Sequence, residues 1–467
     1  MTFLQTPGLF FERRKEQTMR KDAHETIYDV IVIGGGASGM MAAIAAKSQL
    51  PDGEVVLLER NDILGRKLLA TGNGRCNFTN TLALPVDYGT SAEFTKPAMD
   101  AMNPLHVIQL FDSMGILYRV EDEGRVYPHS GQGATVTQAL ERKLDQLGVK
   151  VKRNAVVEEV SYSTKFDITL KNGKTICADK LIVAAGGKAG GQYGCQGDGY
   201  TFAKNFGHDM VKIRPALVAV NCKTDEGEGR DAWKKEWKGV RSQAKVSLWK
   251  VPLRGNAEGD VEDELVAEDR GEVQFTDSGL SGICVFNLSR HIVFTGNMKD
   301  GRNEKYMIDV DFLPDWTEEK VLHMLERRRE ALADYDADAF LMSVVHNKLI
   351  NGLLEQVGFK GLTIVLNGVE EKTWPDLKTI TDEQLAQLAK LLKGWRFEVD
   401  GTKGWNDAQV TAGGIACDQV DPETMESKLR KGLYLCGEVL DVDGKCGGYN
   451  LQWAFASGYL AGISAAK

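Results

Sequence analysis

The sequence predicts an α/β chain in which one parallel-sheet domain is built from both ends of the polypeptide and interrupted by an antiparallel, partly helical insert. Three observations predict it. A short apolar run, Tyr28 to Ile33, meets a glycine-rich turn and an Ala-rich helix near the N-terminus. The same texture of strand, glycine loop and helix returns over about the last sixty residues. Between them, from about Pro215 to Phe312, apolar and polar residues alternate with the period of half-buried strands.

The N-terminal unit comes first. Tyr28 to Ile33 suits a buried parallel strand, Met40 to Ser48 a helix, and Glu54 to Glu59 a second strand, which together make one βαβ unit. The turn between strand and helix reads Gly34-x-Gly36-x-x-Gly39. The first glycine permits the tight turn, the second lets a pyrophosphate approach the backbone, and the third lets helix and strand pack closely. Gly36, Ala37 and Ser38 then open the helix, whose unpaired N–H groups suit phosphate. Glu59 lies twenty residues past Gly39 at the end of the second strand, where a carboxylate accepts ribose hydroxyls. A 2′-phosphate there meets a like charge, so an adenosine without one is favoured.

This unit does not separate FAD from NAD; later segments do. Lys180 to Gly187 reads as a further sheet strand running into a turn at Ala185, Gly186 and Gly187. Leu433 to Glu438, followed by Asp441, Asp443 and Gly444, puts acids at a strand's C-terminal edge, where ligands of open α/β sheets collect. Glu438 can accept from ribityl hydroxyls. Gly447-Gly448-Tyr449-Asn450 opens the closing helix, whose N-terminal dipole would stabilise a reduced flavin ring placed against it. Leu451, Ala454, Phe455, Gly458 and Gly462 share one face of that helix, and the small members let its backbone lie close on a sheet.

In the middle of the chain, Tyr306, Ile308, Val310 and Phe312 fall on one strand face while Lys305, Asp309 and Asp311 fall on the other. Ala267 to Thr276 reads as a hairpin arm around Asp269-Arg270-Gly271. A helical stretch, about Thr317 to Gly361, opens with Glu318 and Glu319 where a helix favours carboxylates. Thr381 and Gln384 form a capping box before the stripe Leu385, Leu388, Leu392. Strands return at Trp395 to Val399 and Asp407 to Thr411. The boundaries expected are therefore 26–212 with 404–467 for the parallel-sheet domain, 213–312 with 362–403 for the β domain, and 313–361 for the helical insert.

Composition limits the function classes. A chain of 467 residues, 43% hydrophobic, needs two or three cores. Its net charge of −9, with no Lys/Arg block, argues against nucleic acid as a partner. No apolar run approaches the roughly 20 residues a membrane span needs. The apolar part of the N-terminus, Gly8 to Phe11, precedes its charges instead of following them, so it is no export signal and a cytoplasmic location is expected. Residues 1–25 read as a disordered extension, with Met19 an alternative start. The eight cysteines form no Cys-x-x-Cys pair and the seven histidines are dispersed, which points to reduced thiols and no metal site.

The segment Gly65-Arg66-Lys67-Leu68-Leu69-Ala70-Thr71-Gly72-Asn73-Gly74-Arg75-Cys76-Asn77-Phe78-Thr79-Asn80 resembles the corresponding stretch of the BaiN/YhiN-type flavoproteins, a group that includes proteins described as aminoacetone oxidases. Gly124 to Pro128, Val410 to Gly414, Thr424 to Lys428 and Cys436 to Gln452 match as well. The resemblance implies FAD, a Rossmann-type domain split in sequence, and an inserted β-barrel-like domain that carries a helical insert. It also implies that Gly72, Asn73, Arg75, Cys76 and Asn77 lie along the cofactor, while Gly437, Glu438, Gly448, Asn450 and Leu451 close over the flavin. Arg60, Lys67 and Val157 complete the expected cofactor set. The chain departs from the family in having Asp277 where the family pattern has His, and Ile283-Cys284 where it has Pro-Ala.

The function expected is hydride transfer between FAD and a small organic substrate, either reduction of a steroid-like enone or oxidation of an amino ketone. NAD(P)H, without a second Rossmann unit, or oxygen would be the other partner. Arg125 and Tyr127, in a Gly-Arg-Val-Tyr-Pro turn, and Thr276, Asp277 and Ser281 are the candidates to meet substrate. A disulfide reductase would need a Cys-x4-Cys pair, and Cys76 has no near partner. A fumarate-reductase-like enzyme draws on Gly197-Asp198-Gly199-Tyr200 but lacks a His/Arg set for a dicarboxylate. A flavin-binding tRNA-modifying or scaffold protein would need a basic stripe.

Overall fold

The computed structural model describes residues 27–223, 235–252, 262–294, 304–366 and 369–467. The extension expected over 1–25 lies outside the described residues. The strand Ile27–Ile33 forms the centre of the main sheet and pairs in parallel with Val55–Leu58 on one side and Thr175–Val183 on the other. Lys150–Lys152 continues the sheet beyond Val55–Leu58. Leu433–Leu435 pairs in parallel with the far half of Thr175–Val183, so the last part of the chain completes a sheet begun by the first. An antiparallel hairpin, Val157–Tyr162 and Phe166–Leu170, lines the near half of the same strand. Every residue of Val55–Leu58 is buried, which is why the run reads as continuously apolar.

The first helix, Ala37–Gln49, and the closing helix, Tyr449–Ala465, pack closely on each other. A Cβ on Gly458 would stand 2.3 Å from the Ser38 carbonyl oxygen, and one on Gly462 would stand 2.3 Å from that of Ala42. The small-residue stripe therefore seats the closing helix on the first helix. The stripe's spacing predicts a sheet beneath it; the structure puts the backbone of the first helix there.

The insert is a closed antiparallel barrel of six strands, Val220–Cys222, Gly279–Ser281, Glu264–Phe275, Arg241–Pro252, Glu304–Asp311 and Trp395–Thr402, in that order around the ring. Tyr306, Ile308 and Val310 point inward as their alternation demands. Trp237 and Trp395 meet at 4.8 Å between ring centres and, with Phe275 and Phe397, fill the interior. The helices Glu318–Ala331, Ala337–Leu341, Asn347–Gln356 and Asp382–Lys393 join this core through Val321, Leu325, Leu353 and the stripe Leu385, Leu388, Leu392. Thr317 and Thr381 cap two of them, the second in a complete capping box with Gln384.

Two local readings change. No hairpin turns at Asp269-Arg270-Gly271; one strand runs through from Glu264 to Phe275, with Asp269 opposite Val246 and Gly271 opposite Ala244. A Cβ on Gly271 would touch Cys284, so this glycine serves the crossing helix Ile283–Ser289 and not a turn. The strand expected at Asp407 to Thr411 spans Val410–Ile415 and forms a two-stranded ribbon with Met210–Ala216. Among the described residues, no helix is long and apolar enough to cross a membrane.

Candidate active site

A cleft of about 600 Å³ opens where the glycine turn, the Arg66–Ala70 helix, the Gly190–Cys195 loop, the barrel edge and the closing helix converge. Gly34 adopts φ +108°, and a Cβ there would lie 2.4 Å from the Ala184 carbonyl oxygen. Gly36 differs, since a Cβ on it would meet nothing within 4 Å. Its missing side chain opens a space that the neighbouring strands do not use. Gly36 also caps the first helix without any side-chain hydrogen bond, and Gly448 does the same for the closing helix. Both residues line the cleft, so two helix N-termini offer it unpaired N–H groups. Six cationic side chains line the cleft against four carboxylates, a balance that suits an anionic ligand.

Glu59 is buried just past the second strand. Its Oε2 accepts from the Gly35 N–H at 2.7 Å, and its Oε1 accepts from the N–H and side-chain amide of Asn61, each at 2.7 Å. A carboxylate has about four acceptor sites, so capacity remains for a ribose hydroxyl. On the opposite wall Glu438 is held by the Thr411 N–H at 2.8 Å and by Lys67 Nζ at 2.6 Å. Burial pulls the Lys67 ammonium down, but the Glu438 carboxylate outweighs it and leaves the group above the ordinary lysine range. Asn450 binds Gly444 through both ends of its amide, at 2.8 and 2.9 Å, and so fixes the loop that opens the closing helix. These features fit FAD: an open glycine turn for pyrophosphate, an acid for ribose, an acid for ribityl hydroxyls and a helix N-terminus for the ring.

Several expected residues line the cleft: Gly34, Gly36, Ala37, Ser38, Glu59, Arg60, Lys67, Gly72, Asn73, Arg75, Asn77, Val157, Ala185, Gly186, Glu438, Gly448, Asn450 and Leu451. Arg60 is turned toward Asp198, with which it pairs. Arg125 and Tyr127 line it too; Arg75 stacks over the Tyr127 ring at 4.1 Å, and Arg125 pairs with Glu123.

Four expected residues stand behind the wall instead. A Cβ on Gly39 would sit 1.8 Å from the Gly34 carbonyl oxygen, one on Gly187 would sit 2.3 Å from Thr411 Oγ1, and one on Gly437 would sit 2.5 Å from Ser38 Oγ. These glycines permit the packing that shapes the site. Cys76 is fully buried, and burial pushes its thiol up to about 12, so its side chain belongs to the core. The barrel candidates need a larger correction. Thr276 Oγ1 donates to the Gly279 carbonyl and closes its own hairpin turn, and Asp277 is exposed beside Lys238 at 3.6 Å. Neither lines the cleft. Ser281 lines only a second chamber.

The residues of the barrel's crossing helix that do reach the cleft are Ile283 and Phe286, joined by Leu217 just past the Met210–Ala216 strand; none of the three is among the residues expected there from sequence. Ile283 stands at the departure from the family pattern, and the signal was there. Arg290, near the end of the same short helix, clasps the loop after Leu440: its Nε donates to Asp443 Oδ2 at 2.7 Å and its Nη2 to the Asp443 carbonyl at 2.6 Å, with both side chains largely buried. Asn287 accepts from the Cys446 N–H at 2.8 Å and donates to Asp269 at 2.6 Å. The second chamber, about 730 Å³, lies between barrel and parallel-sheet domain and shares Asn73, Arg125, Ile283, Phe286, Lys445 and Cys446 with the cleft.

Residues 28–464 match the family described as HI0933-like protein Rossmann domain. The chain is 36% identical to the 3-dehydro-bile acid delta(4,6)-reductase of Clostridium scindens over 93% of its own length and 98% of the relative's. It is 26% identical to the ribosomal RNA dihydrouridine synthase of Haemophilus influenzae, over 94% of this chain and 98% of that one. Among solved structures, an open flavocytochrome c3 fumarate reductase is similar over 99% of this chain and 84% of its own, with a TM-score of 0.45 and 16% identity.

Proposed function

The chain belongs to the HI0933-like Rossmann-domain family and is an FAD-dependent oxidoreductase; on that premise we propose that it reduces a carbon–carbon double bond conjugated to a ketone in a polycyclic, steroid-like substrate. The observation that carries this reading is the end-to-end similarity, at 36% identity, to a 3-dehydro-bile acid delta(4,6)-reductase. The cleft supports it. Leu217, Ile283, Phe286 and Val410 give it an apolar lining, while Arg125 brings a guanidinium to the same cleft. A flat hydrocarbon skeleton with one polar end needs that combination.

Bound FAD would supply the hydride. The chain's own groups bind, orient and exclude water. Gly36, Ala37 and Ser38 would hold pyrophosphate through backbone N–H groups, Glu59 the adenosine ribose, and Glu438 the ribityl chain. Arg125 would receive the substrate ketone and stabilise the negative charge that grows on its oxygen. Tyr127, its ring fixed under Arg75, is the proton donor in this reading. The Arg290–Asp443 clasp holds Ile283 and Phe286 over the cleft and keeps water from the reacting centre. Reduced pyridine nucleotide would act as a diffusing donor.

The test uses holoenzyme reduced anaerobically with dithionite and mixed with progesterone, a 4-en-3-one steroid. The expected result is return of the oxidised flavin spectrum with one equivalent of ring-reduced product. Arg125→Gln should slow this step by about 10²–10³-fold, the usual cost of one lost transition-state donor. Reoxidation by a uridine-containing ribosomal RNA fragment but by no enone, or oxygen uptake driven by aminoacetone alone, would overturn the reading.

A further inference from the structure

The second chamber borders the cleft through Ile283 and Phe286, so a ligand that extends past these two side chains reaches it. Four carboxylates line it. Glu123 pairs with Arg125, Glu268 with Lys245 at 2.7 Å, and Glu272 with Arg241 at 3.2 Å. Asp269 has no cationic partner among the described residues. Its Oδ2 accepts from the Asn287 amide at 2.6 Å, and its Oδ1 accepts from the Arg270 N–H at 2.8 Å. Each oxygen keeps an acceptor site. The Asn287 carbonyl oxygen is tied to the Cys446 N–H at 2.8 Å, so this carboxylate is fixed relative to the loop that opens the closing helix.

We propose that the second chamber binds the distal end of the substrate and that Asp269 selects a hydroxyl there over a carboxylate. A hydroxyl donates to an ionised acceptor that is already oriented, and such a charge-assisted bond is stronger than a neutral one. A substrate carboxylate meets an uncompensated like charge instead. The chamber's four cations cannot rescue it cheaply, because Arg125, Arg270, Arg290 and Lys445 are engaged with Glu123, Asp315, Asp443 and Asp87. The proposal rests on the steroid-like reading above and narrows its substrate class to neutral, terminally hydroxylated enones, which would set this chain apart from the bile acid reductase it resembles.

The experiment measures dissociation constants, from perturbation of the flavin spectrum of oxidised holoenzyme, for progesterone, 21-hydroxyprogesterone and 3-oxo-4-pregnene-20-carboxylate. The expected order is hydroxyl tightest and carboxylate weakest, with about tenfold or more between those two. Asp269→Asn keeps an acceptor for Asn287 while removing the charge, and should shrink that ratio to within about threefold. FAD content and unfolding midpoint report whether the variant folds. Equal binding of the hydroxyl and carboxylate steroids by the parent protein overturns the proposal without any variant. An unchanged ratio in folded Asp269→Asn overturns it too. If none of the three steroids binds or reoxidises the reduced flavin, the enone reading falls and takes this one with it. If all three are reduced without the stated preference, only this one falls.

Discussion

Replacement of Glu59 by alanine removes three hydrogen bonds before any cofactor is considered. The carboxylate accepts from the Gly35 N–H and from both nitrogens of Asn61, all at 2.7 Å, in a site where only 7% of the residue is exposed. The variant therefore loses the proposed ribose acceptor and also the group that ties the glycine turn to the end of the second strand. One lost hydrogen bond to a charged group is worth about 1.5–3 kcal/mol, which is roughly ten- to a hundredfold in FAD affinity. The loosened turn adds to that loss. Glu59→Gln should fall between parent and alanine, because one amide oxygen can serve Gly35 or Asn61 but its NH2 then faces the other donor. The assay is titration of apoprotein with FAD, followed by quenching of flavin fluorescence. An alanine variant whose dissociation constant stays within about threefold of the parent value would refute the reasoning, since about 0.7 kcal/mol is too little for a buried charged acceptor.

Gly36→Ala and Gly39→Ala should behave oppositely: the first Cβ meets open space and should weaken FAD binding while sparing apoprotein stability, whereas the second would sit 1.8 Å from the Gly34 carbonyl oxygen and should destabilise the fold, as paired melting curves and FAD titrations will show. Arg290→Ala leaves Asp443 largely buried without its partner and should cost about 3–5 kcal/mol of stability, measured by urea unfolding. Burial holds the thiols of Cys76, Cys222, Cys284, Cys417, Cys436 and Cys446 up near 12, against 9.0 in an exposed chain. Between those values the unfolded state binds fewer protons, so stability should be fully present below pH 9 and fall as pH rises above it; a flat urea midpoint from pH 8 to 11 would contradict this.

The parallel-sheet domain was legible because each of its parts carries a local signal. An apolar run, a glycine spacing and an acid at the strand's end each have a physical reason to occur together, and Leu433 to Glu438 repeats the pattern far along the chain. The distinction between a glycine that faces a ligand and one that faces backbone was not legible. Gly36 and Gly39 sit in one motif, yet only contact with residues elsewhere in the chain decides which side of the wall each occupies. Gly271 misled for the same reason, since its neighbour is Cys284 on a crossing helix and not the next strand residue. Thr276 to Ser281 looked chemical because Asp277 stands where the family pattern has His, but Thr276 closes its own turn and Ile283 and Phe286 line the cleft instead. An apolar residue that lines a substrate site has no spacing rule to reveal it.

The strand Leu433–Leu435 and the closing helix have a consequence for biosynthesis. During translation the ribosome delivers the glycine turn first, then the whole barrel, and only afterwards the strand that flanks Thr175–Val183. The barrel's strands close on one another within a contiguous span and can fold as soon as Trp395–Thr402 has emerged. The first helix must wait with Ser38, Ala42 and Ala45 lacking the surface that Gly458 and Gly462 later press against them. Nascent chains halted before residue 433 should thus expose that apolar face and engage chaperones, while chains released after Ala465 should not. Cofactor capture must wait for the closing helix, and a truncation just before Leu433 would leave a folded barrel tethered to an unfinished sheet.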